Sequence, residues 1–387
     1  MANLSAEVEA IAADLVAWRR DFHRHPELGY QEQRTQQVVR AFLESLDIEA
    51  RTCARTGVRG RLRGAKPGRT VALRADMDAL PVAEIATHDY QSQNPGVMHA
   101  CGHDGHLAIL MGAARLLASR RATLAGDIVF LFQPSEEHHP GGAPLMIEEG
   151  ALDGVDSIFG LHLWQPFPTG TVGLRAGASM AQADEFEITV GGRGGHASQP
   201  DVTVDPVVVA SHLVVAAQTI VSRFVNPLQP AVVSVTTIHG GRIDNIIPDT
   251  VAMTGTVRTL DRGTQQAIRR RLEEVCDRTC HLFGATAGFA YNDGYPPVVN
   301  DAASVDLVAR VAARELGAGQ VMTMMPVMGG EDFAYYLQRI PGAFAMLGTG
   351  DDRPHPHHNA RFDIDERALP IGVRLMVAVA LEMLDGR

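Results

Sequence analysis

The stretch Asp127-Ile-Val-Phe-Leu-Phe-Gln-Pro-Ser-Glu-Glu137 decides the fold of this chain. Five consecutive large apolar residues, Ile128 to Phe132, show neither the alternation of a half-exposed strand nor the length of a helix. They suit a strand buried on both faces, as in a parallel sheet covered by helices on each side. Thr70–Arg74 and Ser157–Leu163 have the same texture, and His106–Ser119 between two of these runs carries a helical pattern. The expected fold class is therefore α/β, with a mixed central sheet flanked by helices. Upstream, a helix with Ser5 as N-cap carries Val8, Ile11, Leu15, Trp18 and Phe22, and a second spans Thr35–Leu46.

The texture changes near Ala183. Phe186, Ile188 and Val190 alternate with polar residues, as in a sheet with one wet face. The order that follows is a helix at Pro206–Val221, strands at Ala231–His239 and Thr250–Thr259, a helix from Gly263 to Phe283 and a strand at Thr286–Tyr291. This β-α-β-β-α-β series predicts a small ferredoxin-like α+β domain over 183–294, inserted into a discontinuous domain of 1–182 and 295–387. A helix at Val305–Glu315, a strand at Ala343–Gly348 and a last helix at Ile364–Leu384 complete the larger domain.

The chain has 387 residues, 45% of them hydrophobic, which is ample for two cores. Its net charge of −11, without a block of Lys or Arg, argues against nucleic acid or an anionic membrane as partner. Met1–Leu15 carries Glu7, Glu9 and Asp14 and does not read as a signal peptide. The apolar stretch Pro206–Val215 is too short to span a bilayer. Four cysteines are too few for a disulfide scaffold, and Cys276 and Cys280 suit a buried helical turn. Reduced thiols in the cytoplasm are expected.

Ligand-type side chains gather at four places. In Met98-His-Ala-Cys-Gly-His-Asp-Gly-His106, thiolate and imidazole stand two residues apart on a glycine-broken loop and suit one metal centre. Glu136-Glu137 follows a buried strand directly, at the end where open α/β sheets bind ligands. Two adjacent carboxylates can divide the work, one ligating a metal and its neighbour taking a proton from water. An acidic turn in water is the commoner fate of such a pair. Against that stand Phe159-Gly-Leu-His162, another apolar run ending in histidine, and the cluster His355-Pro-His-His358. A Walker lysine, a Gly-x-Gly-x-x-Gly spacing, a His-Glu-x-x-His and a Pro-Cys-x-x-Cys are all missing, and Gly177–Ala181 lacks the second glycine of a nucleophile elbow.

Together, Leu73-Arg-Ala-Asp-Met-Asp-Ala-Leu-Pro81, the Met98–His106 motif, Glu136-Glu137, Gly160-Leu-His162 and Gly194-Gly-His-Ala-Ser198 resemble the M20 metallopeptidase family. The resemblance is narrower to its amidohydrolase branch of hippurate hydrolases, N-acyl-amino-acid deacylases and auxin-conjugate hydrolases. It implies a catalytic domain with a lid, a homodimer or higher homo-oligomer, and hydrolysis of small N-acyl amino acids to a carboxylic acid and a free amino acid. It further implies two divalent ions, Mn²⁺ or Zn²⁺ with Co²⁺ or Ni²⁺ as alternatives, on Cys101, His103, Glu137, His162 and His358. Two ions are favoured over one, since five protein ligands on a single ion would leave little room for water and substrate. By the same resemblance Glu136 is the general base and Asp78 orients a ligand. His196 stabilises the oxyanion, and Asn245 and Arg258 bind the substrate carboxylate.

Some points stay open at this stage. Asp76 stands where related branches carry a histidine ligand. His358-Asn-Ala-Arg-Phe362 replaces the family's His-Ser-Pro-Arg-Phe, so His357 competes with His358. Gly330 replaces a serine, and Met322, Met324, Met325 and Met328 are core filler or the lining of an acyl pocket. A carboxypeptidase or dipeptidase on the same centre is the alternative activity, and a metal-dependent binding protein the alternative class.

Overall fold

The computed structural model describes residues 4–85, 88–350 and 355–386. The chain divides into two compact units. The first comprises Met1–Ser179, Val298–Met325 and Asp332–Arg387, and the second Met180–Pro297 with Pro326–Glu331.

The first unit is built on an eight-stranded mixed sheet in the order Glu49–Cys53, Gly57–Leu62, Ala125–Gln133, Lys66–Asp76, Ser157–Pro168, Gly342–Gly350, Val172–Leu174, Val321–Thr323. The four central strands, Ala125–Gln133 to Gly342–Gly350, run parallel. They are the apolar runs picked out above, and Phe130, Phe132, Phe159 and Phe344 are buried to within 2%. A strand with both faces covered cannot alternate in polarity, which is why these runs are continuous. The His103–Ala118 helix is buried over nearly its whole length and packs between the Ala12–Arg24 and Ala368–Asp385 helices.

Several local expectations need correction. The first helical pattern is two helices, Leu4–Glu9 and Ala12–Arg24, with Ser5 inside the first turn and not at its cap. The last helix begins at Ala368, leaving Ile364 in the preceding loop. The antiparallel hairpin of Glu49–Cys53 and Gly57–Leu62 was not anticipated; three arginines mask its pattern. Met324 is buried as core filler, but Met322 and Met325 are exposed.

In the second unit the strands lie in the order Ala231–Gly240, Thr250–Thr259, Gln182–Gly191, Thr286–Tyr295, all antiparallel, with the Pro206–Thr219 and Arg262–Leu282 helices packed together. This is the split βαβ arrangement. Relative to the 183–294 stretch, the unit begins at Met180, ends at Pro297 and takes in Pro326–Glu331. That return segment is held by the Ala181 N–H to Gly329 carbonyl bond of 2.9 Å and a bridge from Met180 to Val327. Helix Pro206–Phe224 is, by length and composition, long enough to cross a membrane, unlike the shorter stretch read from sequence. Its Val209, Ala210, Leu213 and Ala217 are instead buried in the core of this unit.

Candidate metal centre

The carboxyl ends of the parallel strands carry the site. Strands Lys66–Asp76 and Ala125–Gln133 pair with Asp76 opposite Gln133, so Asp76, Asp78 and the Ser135–Glu137 turn leave the sheet at one level. His162 lies in the neighbouring strand, opposite Met346. Cys101 and His103 flank Gly102, whose φ of 91° lets the loop turn into the His103–Ala118 helix. Two non-glycine residues of the site also have left-handed backbone, Ser135 at φ 52° and His358 at φ 65°. Such positions carry strain and persist where surrounding contacts dictate them.

Ligand-type atoms within 4.8 Å of one another form overlapping groups: Cys101 with His103 and His162, Cys101 with Glu137 and His358, and His103 with Glu136 and Glu137. The five ligand candidates and Glu136 are thus one cluster. Cys101 Sγ lies 3.5 Å from His162 Nε2, and Glu137 Oε1 lies 3.2 Å from His358 Nε2 and 3.9 Å from His103 Nε2.

The hydrogen bonds behind the cluster fix which atoms face it. His103 Nδ1 donates to the Asp78 carbonyl at 2.9 Å, and His162 Nδ1 to the Leu163 carbonyl at 2.8 Å. A carbonyl can only accept, so each ring carries a proton on Nδ1 and turns Nε2 into the cluster. His103 Nε2 and Glu137 Oε1 are buried with no hydrogen-bond partner among the described residues. Orphaned buried ligand-type atoms of this kind, beside a thiol, are what a soft-to-borderline divalent ion would satisfy.

Burial pushes the Cys101 thiol well up, aided by Glu137 and Glu136. His162 is held well below the usual imidazole range by burial and by His106 and His357. Burial would lower His103 too, but the Asp76 and Asp78 carboxylates push it up to about 10.

Asp78 clamps the turn that carries both glutamates: its two oxygens accept the Glu136 and Glu137 N–H groups, each at 2.9 Å. Both oxygens of Asp76 are engaged, one by His106 Nδ1 and one by Arg74, each at 2.6 Å. Asp76 Oδ2 is also 3.7 Å from His103 Nε2. His106 in turn accepts the Leu163 N–H on Nε2, so both its nitrogens are committed. His357 Nε2 donates to the Leu163 carbonyl at 3.0 Å, whereas His358 Nε2 faces Glu137.

Three other candidates lie in the second unit. His196 sits in a short ribbon, opposite Ile246, and Asn245 accepts the Ala197 N–H on its carbonyl, so these two are neighbours. Arg258 stands opposite Ala183, eight residues along its strand from Thr250, where that ribbon joins. At the rise of a strand this separates them by roughly 26 Å. Within this unit Arg258 and Asn245 are therefore not brought together. The Arg258 guanidinium bonds to Thr256 Oγ1 and to the Val257 and Asp184 carbonyls.

The sequence reading did not anticipate two buried networks. Arg74 joins Asp76, Gln133 and Asp332 behind the cluster. Glu32 accepts the Ser135 N–H at 2.9 Å and the Thr56 hydroxyl at 2.5 Å, supporting the turn before Glu136. Arg74 and Gln133 lie in quoted stretches and Asp332 follows Gly330 by two residues, but nothing in their spacing says that they meet. Burial pushes the Glu32 carboxyl up to about 7, with Asp78 adding to the shift against the Thr56 hydrogen bond. Its proton is held in the folded state and released on unfolding, so stability should fall as pH rises from 4.5 to about 7. The effect is on the order of 3 kcal/mol at most. In urea unfolding at a series of pH values, Glu32→Gln should flatten this slope.

Sequence comparison agrees with the geometry. The family model for Peptidase family M20/M25/M40 matches residues 72–382. The chain belongs to this family. It is 42% identical over 379 residues to an N-acetyl-L-cysteine deacetylase of Bacillus subtilis, covering 98% of this chain and 90% of that protein. It is 40% identical over 387 residues to thermostable carboxypeptidase 2 of Saccharolobus solfataricus, covering 98% of each. Among solved structures, a dinuclear metal-binding M20 peptidase of Bacillus subtilis superposes with a TM-score of 0.85 at 36% identity, over 97% of this chain and 99% of that one. This M20 protein is a metal-binding hydrolase that acts on amides.

Proposed function

We propose that this M20 hydrolase cleaves N-acyl amino acids of the hippurate or N-acetyl type into a carboxylic acid and a free amino acid. Two divalent ions, Mn²⁺ or Zn²⁺ with Co²⁺ or Ni²⁺ as alternatives, would be held by Cys101, His103, Glu137, His162 and His358. Bound there, they would polarise the acyl carbonyl and acidify water.

The observation that carries the reading is the clamp of Asp78 on the Glu136 and Glu137 N–H groups. It fixes a base next to a ligand, an arrangement that binding alone would not need. Glu136 takes the proton of the attacking water and returns it to the leaving nitrogen. His196 accepts the Ser198 N–H on Nδ1 at 3.1 Å, which leaves its proton on Nε2. In that tautomer it can donate to an oxyanion. Arg258 is assigned to the substrate carboxylate, for which an arginine fork has matching geometry; Asn245, which the same unit holds apart from Arg258, would join it there only from a second chain of an oligomer.

His358→Ala should weaken metal binding at least about tenfold in competition with a chelator, as loss of a ligand or its support does. His357→Ala, whose ring serves the Leu163 carbonyl, should change it far less.

The test is amino-acid release from hippurate and from a panel of N-acetyl-amino acids, with dipeptides alongside. Metal-stripped protein is assayed with and without added Mn²⁺ or Zn²⁺. Metal-restored release from acyl substrates is expected. Release from dipeptides alone would favour a carboxypeptidase or dipeptidase, the reading that the Saccharolobus relative's name supports. No release from folded, metal-loaded protein would leave a binding role.

A homodimer or higher oligomer and a cytoplasmic location belong to the same reading. Val207, Val208 and Val215 expose apolar surface on one helix of the second unit, and all four cysteines are free. Sedimentation velocity measures the assembly.

A further inference from the structure

The first unit holds a second group of ligand-type side chains that amide hydrolysis does not use. His23, on the Ala12–Arg24 helix, meets Glu84 and His88 with ligand atoms all within 4.8 Å of one another. Glu84 Oε1 is 3.2 Å from His23 Nε2 and 3.2 Å from His88 Nε2. Donor atoms on a tetrahedral ion, each bonded at 2.0–2.1 Å, would stand roughly 3.3 Å apart.

The surroundings prepare these atoms as ligands. Asp104 Oδ2 lies 2.7 Å from His23 Nδ1 and 2.7 Å from the Arg19 guanidinium. The Asp104 contact anchors the His23 ring, and His23 Nε2 makes a hydrogen bond of 3.2 Å with the same Glu84 oxygen that His88 Nε2 approaches. Carboxylate, histidine and metal commonly stand in this relation. Glu84 is buried, with a side chain 2% exposed, and its other oxygen accepts the Ser92 N–H at 2.6 Å. Among the described residues its ionic partners are His23 and His88 alone, with no lysine or arginine.

His88 supplies an independent sign. Both its ring nitrogens are closed to solvent and neither makes a hydrogen bond among the described residues, although Nε2 is 3.2 Å from a carboxylate oxygen. An N–H aimed at Glu84 would count as a hydrogen bond at that distance; this nitrogen points beside the oxygen.

We propose that His23, Glu84 and His88 bind a further divalent ion of the zinc class, with water completing the coordination, apart from the Cys101 cluster. Two imidazoles and one carboxylate suit Zn²⁺ better than Ca²⁺ or Mg²⁺, which prefer oxygen. The ion would tie the Ala12–Arg24 helix to Glu84 and His88. A proton shared between His23 and Glu84 is the competing arrangement.

The experiment counts zinc. Metal-stripped full-length protein is reloaded with Zn²⁺, freed of excess and measured by inductively coupled plasma mass spectrometry. His88→Ala should hold one zinc per chain fewer than the unaltered protein, with an unchanged circular dichroism spectrum. Glu84→Gln keeps an acceptor for the Ser92 N–H and should show the same loss, which covers a folding failure of the first variant. The same difference of one should persist in a Cys101→Ala, His103→Ala background, so this result and the two-metal assignment stand or fall separately. Equal zinc contents in folded variant and unaltered protein would overturn the proposal in favour of the shared proton.

Discussion

Glu136→Gln should retain its metal and lose turnover by about 10²–10⁴-fold, the range that a general base contributes. The substitution exchanges the carboxylate for a neutral amide of the same shape, which cannot act as a base. The residue is 6% exposed, and its backbone N–H, held by Asp78, is untouched. The neighbouring Glu137, which faces His103 and His358, keeps its position because the other Asp78 oxygen still holds its N–H. Metal content by mass spectrometry, with steady-state rates on the best substrate of the panel, separates the two effects. Near-normal turnover would remove Glu136 from the role of base. Loss of metal together with turnover would mean that the pair does not divide its work as proposed.

The second large effect is on stability. Arg74→Ala should destabilise the protein by about 3–5 kcal/mol, read as a shift of the denaturant midpoint. Arg74 is 1% exposed and its fork reaches Gln133, Asp76 and Asp332 at 2.6–2.9 Å. Both carboxylates are fully buried, and without the guanidinium they would remain as desolvated anions. Desolvation alone would raise Asp76; His103, His106 and Arg74 hold it well below the usual carboxylate range. Arg74→Lys should recover only part of the loss, since one ammonium cannot meet three acceptors in the plane of a fork. A cost under about 1 kcal/mol for Arg74→Ala would show that water or protonation replaces the ion pairs.

Much of the fold was legible because its strongest signals are local. The runs Ile128–Phe132 and Ser157–Leu163 can satisfy their apolar side chains only inside a covered sheet, and they are its central strands. The hairpin Glu49–Cys53 with Gly57–Leu62 was illegible for the opposite reason. Its outer strand is mostly exposed, and Arg51, Arg59 and Arg61 hide the alternation. Pro326–Glu331 joins the second unit through bonds to Met180 and Ala181, nearly 150 residues away in the chain, a pairing that no local pattern encodes.

The sequence by itself determined which chemistry is present: a thiol and an imidazole around Gly102, adjacent carboxylates after a buried strand, and histidines at 162, 357 and 358. These are matters of side-chain type at short spacing, and spacing is what a sequence states. The tertiary structure alone decided how those groups are used. His357 and His358 are adjacent and chemically identical, yet a left-handed turn at His358 sends one ring to Glu137 and the other to the Leu163 carbonyl. His106 looks like a ligand until Asp76 and the Leu163 N–H occupy both its nitrogens. His23, Glu84 and His88 carry no spacing that unites them; a helix and a distant loop bring them together. A ligand is defined by where a lone pair points and by whether another partner already holds it, and packing sets both.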